Sequence, residues 1–186
     1  MIWFLRNIPN ILTALRLACA PALALLLLWA HQSAALAVFV FAGLTDAADG
    51  WLAKRFHLAT RFGRYLDPAA DKLLMLFAFV ALTAMGVTPL WLTVVVIARD
   101  AAIVGGIVVA KSLALPLRVV PLPIGKISTA VQVAYIALVL VVLAFDLDWP
   151  QISAFAAVVT GAFTIASWLA YGQVWLKAAA RGRRAA

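Results

Sequence analysis

The chain has 186 residues, of which 67% are hydrophobic and 12% charged, and its mean hydropathy is +1.08. A soluble domain is about half apolar and about a quarter charged, so these values exclude a soluble globular domain and a disordered chain. The 15 Lys and Arg outnumber the seven acids, for a net charge of +8. In so apolar a chain this excess indicates an anionic membrane surface rather than nucleic acid. We therefore predict an all-α integral membrane protein.

A membrane-spanning helix needs about 20 mostly apolar residues, and six stretches of the chain meet that requirement. In chain order they are residues 10–30, 33–56, 62–85, 89–111, 124–145 and 152–176. The prolines within residues 112–123 predict a loop there. We predict a six-helix domain over residues 10–176, preceded by an interfacial amphipathic segment at residues 1–9. A short basic tail at residues 177–186 follows, and we expect it to be mobile.

The Lys and Arg residues all lie towards one end of the predicted helices. They occupy both termini and the second and fourth connections, whereas the turns at residues 31, 85–88 and 146–148 contain none. Cytoplasmic loops of membrane proteins carry an excess of Lys and Arg. We therefore expect both termini in the cytoplasm, in a membrane of the cell inner membrane type.

Four of the seven acids fall within 26 residues, on the second and third predicted helices. Asp46 and Asp49 are three residues apart, and Asp67 and Asp71 are four apart, so each pair shares a helix face. The short connection at residues 57–61 makes the two helices antiparallel neighbours. The four carboxylates are therefore predicted to meet in the cytoplasmic third of the membrane.

Four carboxylates in a bilayer repel one another unless a cation lies among them. Lys54, Arg55, Arg64 and Lys72 could supply it in a purely structural network. A transported ion is a second possibility, but a pathway needs acids on further helices, and Asp100 is the only other acid within the predicted spans. Oxygen ligands without His or Cys favour the third, Mg²⁺ or Mn²⁺. Two such ions held by shared carboxylates assist displacement at phosphorus.

Small residues accompany the acids on both helices: Gly50 and Ala53 on the second, Gly63 on the third. Tight helix packing alone would explain small residues in a membrane protein. Beside four aligned carboxylates we favour a different purpose, which is room for a phosphate or nucleotide against the helix backbone.

The stretch DAADGWLAKRFHLATRFGRYLDPAAD, residues 46–71, resembles the CDP-alcohol phosphatidyltransferase signature, D-x2-D-G-x2-A-R-x8-G-x3-D-x3-D. Every fixed position matches except that Lys54 stands where the family usually has Arg. Lys keeps the charge but lacks the bidentate fork of Arg. The family's size and six-helix topology also agree, so the resemblance covers nearly the whole chain. It implies transfer of a phosphatidyl group from CDP-diacylglycerol to an alcohol, with release of CMP.

The resemblance also implies a role for each signature residue. Asp46, Asp49 and Asp67 would ligate two divalent cations, Mg²⁺ or Mn²⁺, that hold the CDP pyrophosphate. Asp71 would contact the second cation and act as general base on the acceptor hydroxyl. The CDP-lipid site would comprise Asn10, Thr13, Asp49, Gly50, Ala53, Lys54, Thr60 and Gly63.

Three further stretches bear on the acceptor: RNIPNILTALRLACAP near the N-terminus, the triplet Ala-Arg-Asp ending at Asp100, and GKISTAVQ at residues 125–132. They resemble cardiolipin synthases of the eukaryotic and actinobacterial type, whose acceptor is phosphatidylglycerol. The alternative is a phosphatidylglycerophosphate synthase, which accepts glycerol 3-phosphate. That branch typically has Arg-Glu in the fourth helix and another Arg eight residues after the first, where this chain has Asp100 and Ile107.

Either acceptor carries a phosphate and needs cations to bind it, and the candidates are Arg99, Arg118 and Lys126. Because Ile107 stands where the phosphatidylglycerophosphate synthases have an Arg, this chain has one cation fewer than they do. The smaller positive charge suits a phosphodiester with one negative charge better than a phosphomonoester with nearly two. A third hypothesis, of another class, is a non-catalytic membrane protein whose acids form only a structural Asp–Arg network. Since members of the family are usually homodimers, we expect a homodimer, with Gly105 and Gly106 available for a close helix contact.

Overall fold

A computed structural model describes residues 2–56, 63–112 and 122–185, and the side chains of residues 11–48, 69–106, 112 and 122–175. Six α-helices account for nearly all of these residues. They are α1 (Ile2–Leu28), α2 (Gln32–Phe56), α3 (Gly63–Ala84), α4 (Leu90–Ser112), α5 (Pro123–Ala144) and α6 (Pro150–Ala185). The prediction of an all-α protein with six helices is confirmed.

Three helices have a described stretch long and apolar enough to cross a membrane: Ile11–Leu28 of α1, Pro123–Ala144, which is all of α5, and Pro150–Trp175 of α6. The described part of α2 adds the apolar stretch Gln32–Ala48. Helices suit a membrane because each satisfies its backbone hydrogen bonds internally. Many large apolar side chains also point outwards, such as Phe155 and Leu169 of α6, as expected of a surface surrounded by lipid.

Both ends of the chain extend their neighbouring helices. The predicted interfacial segment at residues 1–9 is helical from Ile2 and continuous with α1, while its depth in a bilayer stays a prediction. The basic tail is helical, because α6 continues through Ala185, while its mobility stays a prediction. The tail consists mainly of Ala and Arg, which are strong helix formers. The helix therefore extends beyond the apolar stretch that ends at Trp175. The connections at residues 57–62 and 113–121 lie outside the described residues.

The same capping arrangement ends α1, α3 and α5. The second residue after the end of each of these helices adopts a left-handed conformation: Ala30 with φ 60°, Gly86 with φ 74° and Asp146 with φ 50°. Its amide donates to a carbonyl three residues back, and the next amide donates to one five residues back, at 2.8–3.4 Å. This Schellman pattern satisfies the last helix carbonyls and reverses the chain within a few residues. Glycine occupies the left-handed position in only one of the three turns.

The chain forms two compact units, one comprising Met1–Val87 and Ile136–Asp148, the other Thr88–Tyr135 and Trp149–Ala186. In the first unit α1 packs against both α2 and α3. Its core includes buried side chains on α1, α2, α3 and the α5 segment, such as Leu23, Phe39, Phe79 and Leu140.

In the second unit α4 packs against α6 through two reciprocal contacts between a glycine and a tryptophan. A Cβ added at Gly106 of α4 would lie 2.5 Å from the Trp175 ring of α6, and one at Gly161 of α6 would lie 2.5 Å from the Trp91 ring of α4. The expectation that Gly106 serves a close helix contact is confirmed, with Trp175 of the same chain as the neighbour, while a contact between two chains stays a prediction. A Cβ at Gly105 would meet nothing within 4 Å.

Candidate active site

The first and last aspartates of the signature converge on one arginine in the first unit. Nη1 of Arg16, on α1, lies 3.0 Å from Oδ1 of Asp46 on α2 and 3.0 Å from Oδ1 of Asp71 on α3. Because both oxygens contact the same nitrogen, they are no more than twice that distance apart. The expectation that the acids of the second and third helices approach each other is thus confirmed for this pair.

The packing of α1 between α2 and α3 explains why Arg16 reaches both acids. Its side chain is 1% exposed, whereas the side chains of Asp46 and Asp71 are 50% and 47% exposed. The arginine therefore lies beneath the carboxylates, and the carboxylates remain accessible from outside the unit.

Two carboxylates on adjacent helices provide the oxygen donors that Mg²⁺ and Mn²⁺ prefer. Their exposure leaves space for further ligands, so the described part of the site fits a divalent cation. Asp49 and Asp67 lie outside the side chains that the structure describes. Among those that it does describe, no three acids, histidines or cysteines come together.

The predicted CDP-lipid residues fall mostly outside the described side chains. Thr13 is the exception: it is 2% exposed and precedes Arg16 by three residues on α1. Residues at this spacing share a helix face, so Thr13 lies on the side of α1 that carries Arg16. The remaining predicted residues, whose side chains are not described, are Asn10, Gly50, Ala53, Lys54, Thr60 and Gly63.

Arg99, predicted as an acceptor ligand, is buried within the second unit and held by three helices. Its Nη1 donates to Asp100 Oδ1 at 2.7 Å, and its Nη2 donates to Ser167 Oγ of α6 at 2.9 Å and to the Gly125 carbonyl of α5 at 3.3 Å. Its guanidinium carbon lies 6.0 Å from the centroid of the Tyr171 ring, within range of a cation–π contact. The side chain is 4% exposed.

The stretch GKISTAVQ supplies part of that environment and continues as a buried polar row. A Cβ at Gly125 would lie 2.9 Å from the Tyr171 hydroxyl and 3.3 Å from Arg99 Nη2, so a larger residue there would force one of these two side chains to shift. Further along α5, Gln132 Nε2 donates to Thr164 Oγ1 of α6 at 3.0 Å. Lys126 is exposed, and Arg118 lies outside the described residues.

Sequence reasoning missed the role of Arg16. The prediction counted it among the residues that mark the cytoplasmic side and sought the neutralising cation among Lys54, Arg55, Arg64 and Lys72. The signal was present, because an arginine inside an apolar span almost always faces the protein interior and pairs there. The broader expectation, that a cation lies among the acids, is confirmed by Arg16.

The CDP-alcohol phosphatidyltransferase family model matches residues 6–175. A probable phosphatidylglycerophosphate synthase of Mycobacterium tuberculosis is 36% identical over 160 residues, covering 82% of this chain and 75% of that protein. The CDP-diacylglycerol–glycerol-3-phosphate 3-phosphatidyltransferase of Bacillus subtilis is 32% identical over 195 residues, covering 91% and 95%. In Schizosaccharomyces pombe, a cardiolipin synthase (CMP-forming)/mitochondrial hydrolase fusion protein is 32% identical over 182 residues, covering 89% of this chain but only 30% of its own length.

Proposed function

Since the chain belongs to the CDP-alcohol phosphatidyltransferase family, we propose that it transfers a phosphatidyl group from CDP-diacylglycerol to phosphatidylglycerol, giving cardiolipin and CMP. The observation that carries this proposal is the convergence of Asp46 and Asp71, the two ends of the signature, at an accessible point of the first unit. The family is an enzyme family of the membrane, generally dependent on divalent metals.

In this proposal Asp46, Asp49, Asp67 and Asp71 hold two divalent cations, Mg²⁺ or Mn²⁺. Bound there, the cations would neutralise the CDP pyrophosphate and make CMP a better leaving group. The support from the described residues is the donor set: carboxylate oxygens from two helices, both about half exposed.

Asp71 acts as the general base. It accepts the proton of the acceptor hydroxyl as that oxygen bonds to the phosphorus bearing the diacylglycerol, and the bond from this phosphorus to CMP breaks. A base must lie within hydrogen-bonding reach of the proton it removes, and the exposure of Asp71 (47% of its side chain) leaves room for an alcohol at that distance. A site near the cytoplasmic surface also lets the nucleotide enter from water while the acyl chains stay in lipid.

The CDP-lipid site of the proposal comprises Asn10, Thr13, Asp49, Gly50, Ala53, Lys54, Thr60 and Gly63. Thr13, three residues from Arg16 on α1, is buried on the face that reaches the acids. Its position supports a role in completing the site from the first helix.

For the acceptor site we propose Arg99, Arg118 and Lys126. Asp100 offsets part of the charge of Arg99, with which it forms an ion pair of 2.7 Å, and Ile107 supplies no further cation. A phosphodiester with one negative charge needs less compensation than a phosphomonoester with nearly two. This balance supports phosphatidylglycerol as the acceptor.

A phosphatidylglycerophosphate synthase that uses glycerol 3-phosphate is the second candidate. Its support is the names of the Mycobacterium tuberculosis and Bacillus subtilis relatives, each aligned over three quarters or more of its own length.

An acceptor competition tests the proposal. Protein purified in detergent receives CDP-diacylglycerol and Mn²⁺ or Mg²⁺ together with phosphatidylglycerol or glycerol 3-phosphate, and both CMP and the lipid product are measured. Cardiolipin formed with phosphatidylglycerol, and abolished by EDTA, is the expected result. If only glycerol 3-phosphate gives a product, the protein is a phosphatidylglycerophosphate synthase, as the second candidate states. No metal-dependent release of CMP with either alcohol would support the non-catalytic hypothesis.

We also propose that both termini and the active site face the cytoplasm and that the protein is a homodimer. The distribution of Lys and Arg supports the orientation. An Arg184→Cys variant should be labelled by an impermeant reagent in inside-out vesicles and protected in right-side-out vesicles. The mass of the protein in its detergent complex should correspond to two chains.

A further inference from the structure

We propose that Arg16 is a positioning residue. In the metal-free protein its positive charge takes the role of the divalent cations and holds Asp46 and Asp71 together before those ions bind. The inference rests on the metal site of the proposed function and goes beyond it. It assigns to a residue outside the signature the assembly of two signature aspartates.

The first step of the argument is electrostatic. Asp46 and Asp71 belong to different helices, and the Oδ1 atoms of both contact the same nitrogen of Arg16. Without a positive charge at that point, two carboxylates this close would repel each other, since the membrane screens charge poorly. Arg16 therefore holds α2 and α3 in an arrangement that their acids would otherwise oppose.

The second step concerns exposure. Arg16 is 1% exposed and lies beneath acids that are about half exposed. Arg99 of the second unit, by comparison, donates to two buried neutral groups, the Ser167 hydroxyl and the Gly125 carbonyl. Within the described residues, the ion pairs of Arg16 are with two accessible carboxylates that have the chemistry of divalent-cation ligands. Their arrangement can exchange one source of positive charge for another.

The third step is a consequence for stability. Divalent cations bound to the acids would supply positive charge of their own, so the metal-bound protein needs Arg16 less than the metal-free protein does. Loss of Arg16 should then destabilise the protein mainly when metal is absent. Loss of a residue needed only for helix packing would lower the stability of the protein equally with and without metal.

Thermal unfolding of the full chain in detergent tests this, with intrinsic tryptophan fluorescence as the signal and without substrate. Wild type, Arg16→Met and the matched control Arg99→Met are each melted in EDTA and in saturating MnCl₂. We expect the Tm of Arg16→Met to fall by roughly 5 °C or more in EDTA, and Mn²⁺ to restore at least half of that loss. The loss in Arg99→Met should be the same in both conditions.

Two results would overturn the inference and can be told apart. If Mn²⁺ raises the Tm of the wild type and of Arg16→Met equally, Arg16 has only a packing role and the metal site stands. If Mn²⁺ stabilises neither protein, the metal site of the proposed function fails together with the inference.

A second pair of variants covers the case in which Arg16→Met does not fold. The double variant Arg16→Met/Asp71→Asn lacks one of the two opposed negative charges, so it should fold and melt at a higher temperature in EDTA than Arg16→Met alone. Arg16→Lys keeps a positive charge but loses the planar fork, and its Tm in EDTA should lie between those of wild type and Arg16→Met. A double variant no more stable than the single variant would contradict the inference.

Discussion

Among the described side chains, each unit of the molecule has one buried arginine that connects three helices. In the first unit Arg16 links α1 to Asp46 of α2 and Asp71 of α3. In the second unit Arg99 links α4 to the Gly125 carbonyl of α5 and to Ser167 of α6. The two arginines are almost equally buried, at 1% and 4% exposure of their side chains.

Their partners differ in charge and in exposure. In the part of the chain that the structure describes, Arg16 pairs with accessible carboxylates from two other helices. Arg99 pairs there with the carboxylate of its sequence neighbour and with neutral oxygens. A carboxylate can exchange an arginine for a metal ion, but a serine hydroxyl and a backbone carbonyl already committed to an arginine do so poorly. Burial alone therefore does not reveal the purpose of an arginine in a membrane protein; the identity of its partners does.

The largest effect should follow from Asp71→Asn. Asparagine fits the same space but cannot accept the proton of the acceptor hydroxyl, so CMP release should fall about 10²–10⁴-fold. The control is Asp148→Asn, since Asp148 is an exposed acid after α5 and should keep wild-type turnover. A Tm close to that of the wild type would show that the fold survives. Near-normal turnover in Asp71→Asn would remove the general base from the proposal.

The next effect concerns the second arginine. Arg99→Met removes the arginine from its ion pair with Asp100, which is 21% exposed, and from its hydrogen bonds to Ser167 and the Gly125 carbonyl. Breaking such a pair costs about 3–5 kcal/mol, or roughly 6–20 °C in Tm for a chain of this length. Adding Asp100→Asn should recover part of the loss. Lys126→Met, which removes an exposed cation, should change the Tm little, and an equal loss there would contradict the distinction between the two cations.

The two regions also differ in how well the sequence predicts them. Hydropathy and proline positions predict all six helices, because apolar length is what a membrane requires of a helix. The spacing of the aspartates predicts the approach of Asp46 to Asp71, because the period of the helix determines which residues share a face. Both inferences need only local sequence and one short connection.

Neither arginine's partners follow from such local patterns. Arg16 and Asp71 are 55 residues apart, and Arg99 and Ser167 are 68 apart, so their contacts depend on which helices pack together. The same holds for Gly106. The period of the helix shows which face the glycine is on, but it does not show whether the ring of Trp175 or a second chain covers that face. The helix of the basic tail differs again, because it follows from a local property, the high helix propensity of its Ala and Arg residues.

A smaller effect tests the packing around Arg99. In Gly125→Ala the new methyl would lie 2.9 Å from the Tyr171 hydroxyl and 3.3 Å from Arg99 Nη2, so the ring or the guanidinium must move. Overpacking of this kind costs about 1–3 kcal/mol. Gly172→Ala is the matched control, because its methyl meets nothing within 4 Å and alanine favours the helix by about 1 kcal/mol. Its Tm should equal or exceed that of the wild type, and a similar loss in both variants would show that the Arg99 environment is not tightly packed.

The smallest effect calibrates the metal-dependent test in the first unit. Ala30 ends α1 with φ 60°, a conformation that costs a residue with a side chain about 1 kcal/mol relative to glycine. Ala30→Gly should therefore raise the Tm by roughly 2–4 °C, as Gly86 already does for the turn after α3. The gain comes from the backbone, far in sequence from the acids, so it should be identical in EDTA and in MnCl₂. A gain that changed with Mn²⁺ would mean that metal alters the whole first unit, and the response of Arg16→Met could then no longer be assigned to its two carboxylates.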